Sequence, residues 1–246
     1  MVHTRAAFFL FLLGVLAIGL GLRPALAIDG GNIASSGDSF TRSTVAITIA
    51  DSHGSHLKIN HCSGVLVGRD IVLTAAHCVS GQLAGAAAVI YEGAKPVPFP
   101  FWANSVVRHH INPGDADEEN FLAQIRALSL DVALVRLRTA VPRRNPVPIA
   151  RSSERVPPNL MLAGAGLSQA GIGQLRTATL KPIIVTDTGL IIARALGARV
   201  CTGDSGGPVV ELTKGGARLW GVASAIITSR GPCGAIVVVA PARAIL

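Results

Sequence analysis

Short apolar runs of four to six residues recur along almost the whole chain, each closed off by Gly, Pro, Asn or Asp. They fall at 45–50, 63–67, 71–74, 87–91, 132–137, 160–163, 180–185, 208–212, 218–223 and 235–239. Runs this short fit strands, and their even spacing between turn residues predicts an all-β barrel or sandwich. Half of the 246 residues are apolar and 15% are charged, enough for a buried core and unlike a disordered chain. One helix is expected over 120–130, next to the acidic run Asp115, Asp117, Glu118, Glu119. Residues 141–158 carry Pro142, Pro146, Pro148, Pro157 and Pro158, and read as the connector between two halves, about 28–145 and 146–246.

Residues 1–27 have the form of an export signal. Arg5 precedes an apolar run from 6 to 22, and Ala25-Leu26-Ala27 is a small-x-small cleavage site. The expected location is secreted or periplasmic. No later apolar stretch is long enough for a span, so no stable membrane span is expected after signal removal. The formal charge of +8 is scattered, densest at Arg136, Arg138, Arg143 and Arg144, with no aromatic residues interleaved. No nucleic-acid partner is expected. Four cysteines in an exported chain predict two disulfides, with three pairings open. Neither their spacing nor that of His53, His56 and His61 matches a metal site, and the acidic run reads as a solvated loop. No metal or cofactor is expected.

Three segments carry chemistry. Gly203-Asp204-Ser205-Gly206-Gly207-Pro208 places a hydroxyl among glycines that permit a sharp turn and expose backbone N–H groups. Thr74-Ala75-Ala76-His77-Cys78 puts an imidazole after an apolar strand, and Asp131 opens the strand Val132-Ala133-Leu134-Val135-Arg136-Leu137. Acyl transfer at a serine needs a base for the hydroxyl, a buried carboxylate to orient that base, and donors for the oxyanion.

In this order the three segments resemble the signature blocks of the trypsin/chymotrypsin-like serine proteases, and the resemblance spans essentially the whole chain from Ile28 onward. It implies two six-stranded antiparallel β-barrels with the active site in the cleft between them, and a shortened C-terminal helix. It implies His77 as general base, Asp131 as its orienting acid, Ser205 as nucleophile, and the N–H groups of Gly203 and Ser205 as the oxyanion hole. Family pairing joins Cys62 to Cys78 and Cys201 to Cys233. Ser224, in Gly221-Val222-Ala223-Ser224, matches a serine bonded to the triad aspartate. With Arg199 and Val200 it also belongs to the substrate-binding wall; Arg199 buried at the pocket base would favour Asp or Glu before the cut, and Arg199 pointing outward would be an ordinary surface residue. Ile28-Asp29-Gly30-Gly31 follows the signal cut directly and resembles the family's activating terminus, so Ile28 is expected to pair with Asp204.

The function this implies is a secreted endopeptidase acting through an acyl-enzyme, a monomer whose partners are protein or peptide substrates and a proteinaceous inhibitor. A secreted binding protein that has abandoned catalysis, and an esterase on the same scaffold, are the other readings.

Overall fold

The computed structural model describes residues 27–53, 56–109, 121–151, 154–168, 171–228 and 231–245. Residues 1–26, which hold most of the expected export signal, the acidic run Asp115 to Glu119, and Leu246 lie outside them.

Six strands form the first barrel: β1 (Thr44–His53), β2 (His56–Leu66), β3 (Ile71–Thr74), β4 (Leu83–Glu92), β5 (Phe101–Arg108) and β6 (Ala133–Leu137). They run in the order β1-β2-β3-β6-β5-β4, and β4 pairs back onto β1, so Val45 faces both Gly64 and Ile90. The second barrel comprises β7 (Leu160–Gly164), β8 (Arg176–Val185), β9 (Ile191–Ala195), β10 (Pro208–Thr213), β11 (Gly216–Ile227) and β12 (Ile236–Pro241). Its order, β7-β8-β9-β12-β11-β10 with β10 closing on β7, repeats that of the first. All pairings are antiparallel, and closure removes the exposed strand edges of an open sheet. Two short strands extend the barrels: Lys95–Pro96 on β4, and Asn32–Ile33 on β8 opposite Thr177 and Arg176. Asn32 and Ile33 therefore join the second barrel.

Each barrel has its own core. Val45, Ile47 and Ile49 alternate along β1 and pack with Leu66, Val72, Val135 and Leu137. Leu160, Leu162, Leu180, Ile191, Val209 and Val237 fill the second barrel. A third cluster draws on both: Phe40, Val65, Leu73, Tyr91 and Val132 meet Ala163, Leu175, Val210 and Val222. Burying each large apolar side chain contributes about 1.5–3 kcal/mol. This shared core fixes the two barrels against each other, and the site lies along its edge. The connector bonds both: Val147 N donates to Leu66 O at 2.9 Å, and Ala150 N to Leu219 O at 2.8 Å.

Helix α1 (Phe121–Ser129) leads from β5 to β6 and packs against β12 of the other barrel. The chain beyond β12 makes a single 3-10 turn, Ala242–Ile245, whose Ala244 carbonyl meets the His109 ring. Among the described residues no helix is long and apolar enough to cross a membrane.

Candidate active site

His77 sits in the 3-10 turn Ala76–Val79, which begins as β3 ends and is tied to β2 by the Cys62–Cys78 disulfide. Asp131 follows α1, held by its N–H to Leu128 O at 3.3 Å, and is fully buried. The two residues join twice. His77 Nδ1 lies 2.8 Å from Asp131 Oδ2, and His77 backbone N–H donates to Asp131 Oδ1, also at 2.8 Å. A carboxylate only accepts, so Nδ1 carries the proton and Nε2 keeps its lone pair. The ring is 37% exposed and its carboxylate partner 0%, so one end of the pair is wet and the other dry.

A third donor reaches the same carboxylate from the other barrel. Ser224 Oγ donates to Asp131 Oδ2 at 2.6 Å. The pairing of β11 with β12 slips between Ala223 and Ala225, and Ser224 is the residue left over. A bulge of this kind re-aims one side chain, and here it turns a hydroxyl off the sheet and onto Asp131.

Ser205 lies in the tight loop between Cys201 and β10. Gly203 has φ +94° and Gly206 φ +81°, and a Cβ at Gly206 would collide with Ser63 O and Thr74 Oγ1. Only glycine fits there. The N–H groups of Gly203 and Ser205 donate to no group among the described residues, whereas those of Asp204, Gly206 and Gly207 all do. Two adjacent donors are thus left for a ligand. The Cys78 sulfur is 3.8 Å from His77 Nε2 and 3.9 Å from Ser205 O, so imidazole and serine flank one disulfide. No hydrogen bond joins Ser205 Oγ to the ring in this structure.

Ser63 is the residue that the motifs did not reveal. Fully buried on β2, it receives the loop: its N–H donates to Ser205 O at 2.7 Å, its Oγ donates to Gly203 O at 2.9 Å, and Ala165 N–H donates back to Oγ at 2.9 Å. Its only sequence signal is adjacency to Cys62, since a lone serine in an apolar run has no pattern of its own.

Asp204 is wholly buried. Its Oδ2 accepts from Ile28 N at 2.9 Å and from Cys201 N at 2.8 Å, while Oδ1 has no hydrogen-bond partner. Burial pushes its pKa up to about 7, against the opposing pull of the Cys201, Ile28 and Gly166 amides. The Gly166 amide acts by proximity and not through an aligned bond. The structure places the Ile28 backbone nitrogen against Asp204, 176 residues away.

Beside Ser205 is a cavity of about 160 Å³, lined by Val200, Cys201, Thr202, Ala223, Ser224, Ala225 and Ile226, and braced by the Cys201–Cys233 disulfide. Among the described residues no charged side chain lines it. Arg199 lies elsewhere: its Nη2 and Nε reach Asp29 Oδ2 at 2.9 and 3.3 Å, and its backbone N–H donates to Asp29 O at 2.8 Å. The guanidinium, expected at the pocket base, is instead turned outward by Asp29, and Val200 alone of that pair lines the cavity. His77, Cys62 and Cys78 cluster closely enough to suggest a metal site, but sulfurs joined in a disulfide are not the thiolates a metal takes.

No curated protein matches the sequence. The fold is similar to that of a solved collagenase, described as HL collagenase at 1.7 Å resolution. The two superpose with a TM-score of 0.64 at 19% identity, over 87% of this chain and 94% of that one; at that identity the likeness is one of fold. The family model described as Trypsin matches residues 30–245. With its two barrels and the site at their junction, the chain belongs to the trypsin family.

Proposed function

We propose that the chain is an exported serine endopeptidase in which Ser205 attacks the scissile carbonyl, His77 takes and returns the proton, and Asp131 holds the ring. The observation that carries this reading is the threefold hold on Asp131. Two bonds from His77 and one from Ser224 keep a buried carboxylate charged and aimed, which fixes the tautomer that a general base needs. The unengaged N–H groups of Gly203 and Ser205 are the donors for the oxyanion. Export through residues 1–27 is part of the proposal, and two disulfides accord with an oxidising compartment.

The neutral, narrow cavity beside Ser205 favours an apolar side chain of about Ala to Leu size before the cleaved bond. A buried positive charge there would have favoured acids, and a buried carboxylate Arg or Lys. Peptides varying only at that position test the proposal. Cleavage is expected after Ala, Val or Leu and to be slow after Asp, Glu, Arg and Lys. Hydrolysis of none of them, by protein with a free Ile28, would refute the endopeptidase reading.

A further inference from the structure

On the far side of the first barrel, where the connector leaves β6 and passes the end of β4, a cavity of about 790 Å³ is lined by Arg42, Arg143 and Arg144, with Glu92 as its one carboxylate. Two of the three guanidiniums are tied to the backbone. Arg42 Nη2 donates to Arg143 O at 3.3 Å, and Arg144 Nη2 to Tyr91 O at 2.8 Å. Arg143 adopts φ +56°, a left-handed conformation that costs a non-glycine residue energy and persists only when its surroundings enforce it.

None of the three forms an ion pair among the described residues, Glu92 notwithstanding. Arg144 Nε is buried and has no hydrogen-bond partner. Burial, and after it the charge of Arg42, disfavour the charged form of Arg144, with Glu92 opposing in part. Three guanidiniums set against one carboxylate leave an excess of like charge, which is costly, and that cost falls when one anion enters.

We propose that this cavity is a binding site for a tetrahedral dianionic group, sulfate or phosphate, taken up between the guanidiniums of Arg42, Arg143 and Arg144. Guanidinium forks match the oxygens of such a group, and charge-assisted bonds to it are the strong ones. The site is remote in sequence from His77 and Ser205 and independent of the protease reading.

Calorimetric titration of the full-length protein with sodium sulfate and, separately, sodium phosphate tests it, with sodium chloride at matched ionic strength as control. Saturable binding is expected for at least one of the two anions, and the stronger identifies the group. Arg42→Gln and Arg143→Gln remove exposed side chains, so the variants should fold, and each should weaken binding roughly tenfold or more. Arg144→Lys keeps the charge but loses the guanidinium fork and should weaken it as well. Heat no greater than that of chloride overturns the proposal. So does binding that survives all three substitutions, which would be an anion held elsewhere on a basic surface.

Discussion

The backbone nitrogen of Ile28 lies 2.9 Å from Asp204 Oδ2, in a pocket that excludes water from both, although 176 residues separate them. With Ala27 attached, that nitrogen is a neutral amide facing a carboxylate whose pKa stands at about 7. Ile28 also holds φ +35°, strained for a β-branched residue, and Ala27 is wedged against Gly166. Cutting the Ala27–Ile28 bond abolishes that torsion and turns the amide into an ammonium. Strain and the unpaired charge are relieved together, so the cut chain should hold this contact more tightly than the uncut one. The active exported protein is therefore predicted to begin at Ile28, as N-terminal sequencing would report. Full activity in protein that begins anywhere else contradicts this.

Stability of the uncut chain should depend on pH through Asp204. Its folded pKa of about 7 is above the ordinary value of 3.8. The unfolded chain thus loses this proton first as pH rises. Stability should fall from about pH 4 up to about pH 7 and then level, by a few kcal/mol. Denaturant unfolding across that window checks it: Asp204→Asn should flatten the slope. In the cut chain the new amine, whose folded pKa is raised by its carboxylate, gives a slope of the same sign at higher pH. That contribution is complete below the free value of about 8 and is lost as pH climbs through the raised one, taking activity with it.

Ser224→Ala removes one of three donors to a buried carboxylate. A hydrogen bond to a charged group contributes about 1.5–3 kcal/mol, so kcat should fall roughly tenfold or more while KM changes little. Steady-state kinetics on one peptide separate the two. An unchanged kcat would show that His77 alone keeps Asp131 in place.

Much of this was legible beforehand, and the exceptions have local causes. Strands with clean apolar runs, such as 71–74 and 208–213, announce themselves. β5 does not: Phe101, Ala103 and Val106 face the core, but their apolar neighbours Trp102 and Val107 are more than half exposed and a bulge interrupts the strand, which masks the alternation. β9 hides for another reason, since Ile191–Ala195 continues into Leu196 with the Ala and Arg content of a helix. In the site, His77, Asp131, Ser205 and Ser224 stand in recognisable strings. Ser63 does not, because its task is set by what faces it from the other barrel. Arg199 misled, since position alone placed it at the pocket base and only the partner Asp29, 170 residues away, turns it outward.

That pair leads to a specificity prediction. The Arg199–Asp29 contact is half-exposed on both sides, and such pairs contribute about 0–1 kcal/mol. Arg199→Ala should leave the preference before the cleaved bond unchanged and cost little stability. A peptide panel run on both proteins decides. Loss of cleavage after acidic residues, confined to the variant, would return Arg199 to the pocket.

The central claim is that Ser205 is a nucleophile activated by His77. Incubation with a fluorophosphonate, followed by mass mapping of the adduct, tests it most directly. One adduct on Ser205 is predicted, strongly slowed in His77→Ala and absent in Ser205→Ala. Protein that begins at Ile28 yet carries no adduct, or carries it on another serine with Ser205 untouched, would contradict the account.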